Sequence, residues 1–159
     1  MIDLAIKSVK ALDLTFGFIE VKIKFTSTGP YVIEVNPKSD AGTPLRLQIS
    51  SDYNLFKEFA KLCLGSKPKV RANFNSYSGS TIIHSKFENK IVDSVYYKKN
   101  FKDEIYIKDI LVKADKTVNN ILGAHSIIAY SYFKAHNHKE LIRKINNFQN
   151  SISVHYKEK

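Results

Sequence analysis

The chain has 159 residues, 43% of them hydrophobic, which suits one average domain or two small lobes and excludes a disordered chain. Its formal charge of +10 would suit a polyanionic partner, but the basic residues are scattered and accompany a general abundance of Lys, Asn, Ile and Tyr, so nucleic acid is not the expected partner. No apolar run nears the roughly 18 residues that span a bilayer, no charged-then-apolar leader opens the chain, and a single cysteine, Cys63, rules out an internal disulfide; these features suggest the cytoplasm.

Ile2, Ala5, Ile6, Val9 and Leu12 recur at helical spacing, predicting a first helix. It starts with no capping residue before it, which suggests that the fold continues upstream of Met1. Two alternating segments follow, Phe18 to Phe25 and Tyr31 to Asn36, separated by the turn-forming residues Thr26 to Pro30. They predict a hairpin with a longer loop. Side chains alternate along a strand, so Ile19, Val21, Ile23 and Phe25 should share a buried face with Tyr31, Ile33 and Val35. Glu20, Lys22, Lys24, Val32, Glu34 and Asn36 fall on the opposite face. A turn centred near Ser27 sets Glu20 across from Glu34. Two facing carboxylates repel, and a divalent cation between them reverses the sign. Carboxylate and amide oxygens are the ligands a hard ion such as magnesium takes. Two solvated surface carboxylates, relieved by Lys22 and Lys24, are the plainer alternative.

Asp52 is placed to cap a helix with Leu55, Phe56, Phe59, Ala60, Leu62 and Cys63 inward; Gly65 ends it, and Cys63 is expected to be a small core residue. Strand-like runs come next, at Val70 to Asn75, Thr81 to Phe87, Ile91 to Tyr97, Glu104 to Val112 and His125 to Phe133. The stretch Tyr96 to Lys102 interleaves aromatics with cations and is read as a solvated loop rather than a nucleic-acid platform. A last helix starts near Asn137, with Glu140 three residues on in a capping-box arrangement, and Ser151 to Tyr156 forms a final strand. His136 and His138 lack a third ligand and are read as opening that helix rather than binding zinc.

Two segments carry a family resemblance. Gly29 to Lys38, with Glu34-Val35-Asn36-Pro37-Lys38 at its end, resembles the E-x-N-P-R segment of ATP-grasp enzymes. Ala11 to Val21 resembles the helix end and strand that bring that family's first metal carboxylate. Asp40 to Pro44 and then Asp52 to Phe56 look like the glycine-containing loop and the helix after it. Order and spacing agree over residues 1 to about 66. Short strands, a helix and a strand resemble the C-terminal lobe of the biotin-carboxylase-like and amino-acid-ligase-like branches, and Ile121 to Ser126 stands where those have a glycine-led turn.

The resemblance implies an α+β chain: the C-terminal half of an ATP-grasp fold (helix, antiparallel hairpin, helix) over 1–66, then a small β-rich lobe with a C-terminal helix over 67–159. It implies that Glu20, Glu34 and Asn36 bind magnesium or manganese with ATP, and that Lys38 and Arg46 serve phosphate or substrate. It implies phosphorylation of a small carboxylate, then displacement of phosphate by an amine. Two departures stand out. Lys38 replaces the usual Arg and cannot form its bidentate fork, and Asp13 replaces a common glycine. The phosphate-covering loop, adenine linker and N-terminal domain have no counterpart. The chain is therefore expected to be a truncated protein, one half of a split enzyme or a broken reading frame, inactive alone. Phe16 and Phe18 should be exposed, and the chain should pair with the missing half or with a second copy as a dimer. The rival expectation is a non-catalytic binding module that kept an ATP-grasp half-fold.

Overall fold

In the computed structural model, which describes residues 1–98, 105–118 and 126–157, the chain divides into two compact units: Met1–Gln48 with Asp52–Ala72, and Ile49–Ser51 with Asn73 onward. The first unit opens with helix α1 (Ile2–Ala11). Its end is a Schellman motif: the Leu14 N–H reaches the Val9 carbonyl and the Asp13 N–H the Lys10 carbonyl. That geometry puts Asp13 at φ +52°, in the left-handed region that favours glycine. Aspartate is one of the few other residues that enter it readily, so the departure from glycine leaves the turn intact.

Helix α1 lies on a two-stranded ribbon, β1 (Glu20–Thr26) and β2 (Gly29–Asn36). The expected longer loop is instead a two-residue turn, Ser27-Thr28, because Thr26 faces Gly29 across the strands. The Thr26 hydroxyl closes it, accepting from the Thr28 N–H (3.2 Å) and donating to the Gly29 carbonyl (2.9 Å). A bulge follows. Lys22 faces Glu34 but Ile23 faces Val32, which leaves Ile33 as the extra residue. One extra residue reverses which face the remainder of β2 presents. Val32 therefore joins Val21, Ile23 and Val35 on the half-buried side, while Tyr31 faces Lys24 on the other. The expected burial of Phe25, Tyr31 and Ile33 is overturned: all three are exposed.

Residues 43–50 form a helix, α2 (Thr43–Ser50), absent from the sequence expectation. Helix α3 (Leu55–Cys63) is capped by Asn54, whose side chain accepts from the Lys57 N–H at 3.0 Å. Asp52, the expected cap, instead pairs with the Lys69 ammonium at 2.8 Å. The buried side of α3 carries Leu55 and Glu58; Phe56, Phe59 and Cys63 face outward, so Cys63 is not a core residue. Glu58 is tolerated inside because it accepts from the Lys69 N–H (2.6 Å) and the Lys61 ammonium (2.9 Å). A second Schellman motif ends α3, with Gly65 at φ +74°.

In the second unit, β3 (Tyr77–His84), β7 (Ile127–Ala135) and β5 (Ile107–Ile110) form an antiparallel sheet in the order β3-β7-β5. A second sheet runs β6 (Thr117–Val118), β4 (Lys90–Tyr97), β8 (Ile152–Tyr156). The run 70–75 forms no strand; Phe74 makes a single bridge to Ser51. Helix α4 (His138–Ser151) begins at Asn137, whose side chain accepts from the Glu140 N–H at 2.9 Å. Glu140 reaches back to the His136 N–H (2.8 Å), one residue before the expected cap position. The core joins Ile128, Ala129, Phe133 and Ala135 of β7 to Leu141 and Phe148 of α4. A methyl group added at Gly79 would stand 3.1 Å from Leu141, so glycine lets α4 lie close on β3.

Candidate functional site

The ribbon brings Glu20, Glu34 and Asn36 to one face, though not in the expected register. Glu20 faces Asn36 and Lys22 faces Glu34; the Glu20–Glu34 pair is diagonal. The tight turn and the bulge together moved the register. Repulsion between facing carboxylates is thereby replaced by an ion pair. The Lys22 ammonium lies 2.8 Å from Glu34 Oε2 and 3.6 Å from Glu20 Oε1. The hydrogen bond from Lys22 holds the Glu34 carboxyl below the usual carboxylate range, with help from Asn36, and the same bond pushes the Lys22 ammonium up. Glu20, Lys22, Glu34, Asn36, Lys38 and Asp40 line one depression of about 190 Å³.

Lys38 is exposed at the rim. Arg46 is on α2 rather than in a loop, and its guanidinium donates to Asp40 Oδ2 (2.9 Å) and to the Thr43 hydroxyl (3.0 Å). Asp40 also accepts from the Gly42 N–H (2.7 Å) and the Thr43 N–H, capping α2, while its own N–H donates to Glu20 Oε2 at 3.4 Å. Burial pushes the Asp40 carboxyl up, but the Thr43 and Gly42 donors and Arg46 outweigh it and leave it below its ordinary value. Asp40 is the member of this cluster that sequence reasoning left without a role, whereas Lys22 relieves the two carboxylates as the plainer alternative had it. An aspartate two residues before Gly42-Thr43-Pro44 is a legible helix-start signal.

No group of three His, Cys, Asp or Glu able to hold a metal occurs among the described residues. The hairpin set differs from such a group, with two carboxylates and one amide. Its chemistry fits a hard divalent ion, since all three side chains offer oxygen and a cation, the Lys22 ammonium, already bridges the two carboxylates. Among the described residues, no third His, Cys, Asp or Glu joins His136 and His138. Residues 121–125 and 99–102, where the glycine-led turn and the end of the aromatic–cationic stretch were placed, lie outside the described residues. No described helix is long and apolar enough to cross a membrane.

No protein-family profile matches the sequence. Over 68 residues, 42% of the chain, it is 35% identical to the uncharacterized protein y4rH of Sinorhizobium fredii (strain NBRC 101917 / NGR234), of which the match covers 14%. Solved structures match through the fold. Phosphoribosylglycinamide synthetase from Anaerococcus prevotii covers 95% of this chain with a TM-score of 0.79 and 18% identity. L-amino acid ligase from Bacillus licheniformis covers 98% with a TM-score of 0.74 and 14% identity. Biotin carboxylase from Campylobacter jejuni covers 97% with a TM-score of 0.69 and 14% identity. These are ATP-grasp enzymes, and the chain has the α+β fold of their C-terminal part. It spans 40%, 41% and 35% of their respective lengths.

Proposed function

We propose that the chain is the C-terminal part of an ATP-dependent carboxylate–amine ligase that works through an acyl phosphate and is inactive alone, with ATP, a small carboxylate and an amine as substrates and the cytoplasm as its compartment. Residues 1–66 would supply the metal-bearing part of the ATP-grasp domain and 67–159 the β-rich lobe. The observation that carries this is the shared face of Glu20, Glu34 and Asn36 on a ribbon in an ATP-grasp fold. Glu20, Glu34 and Asn36 would hold magnesium or manganese, which when bound neutralises phosphate charge. Lys38 would place a single cation on a phosphate or acyl phosphate, as a point charge rather than a fork. Arg46, paired with Asp40 of that depression, would serve phosphate or substrate. A complementary nucleotide-binding half, carried on the same polypeptide or on a separate one, would complete the site.

The test uses manganese with ATP and the full chain in amide-resolved NMR, which detects weak binding. Residues 20, 34 and 36 should broaden first, and Glu34→Gln should abolish the effect. Broadening elsewhere, or an unaffected Glu34→Gln protein, sinks the assignment. Purified chain should neither hydrolyse ATP nor ligate; robust Glu34-dependent hydrolysis would refute its incompleteness. A non-catalytic module is favoured by one observation, the Lys22 ammonium that already pairs with both carboxylates. A ribbon that ignores manganese and ATP would establish that alternative.

A further inference from the structure

We propose that the first unit carries a cleft for an amphipathic carboxylate, its apolar group seated among aromatic side chains and its carboxylate at Lys38. This rests on the assignment of Lys38 and the hairpin carboxylates to the reaction site, and it specifies the class of substrate that site would take.

Beside the polar depression lies a second cavity of about 430 Å³. Its walls are Phe16, Phe18, Pro37, Leu55, Phe56 and Phe59. Phe18 and Phe59 meet as a tilted pair, ring centroids 5.5 Å apart, which fixes one wall. Phe56 and Phe16 form the rim, 67% and 61% exposed. A cavity of roughly 150 Å³ is enough to hold benzene, so this one has room for a ring or branched chain with a linker. The two cavities share one residue, Lys38, which lines both. Among the described residues, Lys38 is also the only charged one lining the aromatic cavity. An apolar cation entering it would meet like charge at the junction, whereas an apolar anion would meet the ammonium. On the far side of Lys38, Glu20 and Glu34 repel a carboxylate, and the Lys22 ammonium is already held by Glu34. A carboxylate is thus confined to the junction, next to where a phosphoryl group would arrive, with its apolar group directed among the phenylalanines. Aromatic walls with one placed polar group are the usual make-up of a small-molecule site.

The test titrates the full chain with 3-phenylpropanoate, with its neutral counterpart 3-phenylpropan-1-ol, and with acetate, and reads amide shifts by NMR. Phenylpropanoate should shift residues 37–39 and 55–59 and bind more tightly than the alcohol or acetate. Phe56→Ala, a change at an exposed position, should weaken it about tenfold. Lys38→Met should bring phenylpropanoate down to the affinity of the alcohol and leave the alcohol unchanged. Equal affinity for acid and alcohol in the unaltered chain, an indifferent Phe56→Ala protein, or shifts confined to other residues would overturn the proposal. Shifts at 55–59 that follow protein concentration but not ligand would also overturn it, because a second copy would then fill the cavity. Broadening at residues 20 and 34 by manganese with ATP, read on parallel samples, separates the two claims. Its absence with phenylpropanoate binding intact would sink the reaction-site assignment while supporting the cleft. Its presence without phenylpropanoate binding would do the reverse.

Discussion

Phe148 offers the sharpest test of how the second unit is held together. It is fully buried, and its ring meets Phe133 edge-on with centroids 5.8 Å apart and Tyr97 at 6.0 Å. Through it α4 engages β7 and β4 in one contact. Phe148→Ala removes a whole ring from water-free surroundings, a transfer loss of about 2–3 kcal/mol. The surrounding side chains belong to two sheets and cannot all move inward, so a cavity remains and the total should reach about 3–5 kcal/mol. That is a large share of the roughly 5–15 kcal/mol that stabilises a small domain. The assay is urea unfolding followed by near-ultraviolet circular dichroism, since Tyr97 touches the deleted ring and reports on its packing. A loss below about 1 kcal/mol would refute the reasoning, because it would mean that α4 is not the element closing this core.

Other outcomes follow from single contacts. Gly65→Ala forces a side chain into the left-handed turn that ends α3 and should destabilise by about 1 kcal/mol in the same assay, whereas Asp13→Gly at the matching turn of α1 should be close to neutral. Glu34, Glu58 and Glu140 all have carboxyls held below their ordinary values, through the Lys22 bond, the Lys69 N–H and the His136 N–H respectively. Their stabilisation is complete above the unfolded value of about 4.3 and is lost as pH falls through the lower folded values, so thermal melts should be flat from pH 7 to about pH 5 and drop below about pH 4. A melting temperature already falling between pH 7 and 6 would contradict this. Ile2, Ile6, Leu12, Phe25 and Ile33 leave exposed apolar side chains on α1 and the ribbon, and we expect association through them, seen as a sedimentation coefficient and a melting temperature that rise with concentration. A strict monomer with a fixed melting temperature would mean that this surface needs no partner.

Much of this was legible in the chain itself, and the failures share a cause. Alternation marks both strands of the ribbon, and Asn137 with Glu140 marks the start of α4. Periodicity cannot show a bulge, however. The two-residue turn makes Val32 and Ile33 exchange roles, and the extra residue Ile33 then adds a second shift, so Glu34 meets Lys22 instead of Glu20. Capping was misjudged where two acceptors compete: Asp52 is drawn away by Lys69, and Asn54 takes the helix. Helix α2 was hidden because Gly42, Thr43 and Pro44 read as a turn, although Pro44 in a first helical turn sacrifices no hydrogen bond. Phe16 is exposed as expected, whereas Phe18 is half-buried against Phe59, a contact between segments 41 residues apart that no local pattern encodes. The departure at Asp13 was visible, but only its φ angle showed that it is harmless.

The register that overturned the facing-carboxylate expectation also changes what a metal would have to do. With Glu20 directly across from Glu34, an ion would be needed to relieve repulsion, and the ribbon would be strained without it. In the observed register Lys22 supplies that relief, so the ribbon can fold with Glu20 and Glu34 drawn toward one ammonium and no ion between them. On the proposed reading, an arriving divalent ion would compete with one ammonium on a flexible stem, which can swing into solvent. Such an exchange favours metal only when further ligands come with it, and phosphate oxygens are the natural source. Lys22→Met separates these roles. It should loosen the ribbon by removing the bridge, yet strengthen manganese binding in the absence of nucleotide by removing the competitor. Weaker binding in that variant would mean that Lys22 helps to hold the ligand rather than stand in for it, and the ribbon would then have to be read as an anion site.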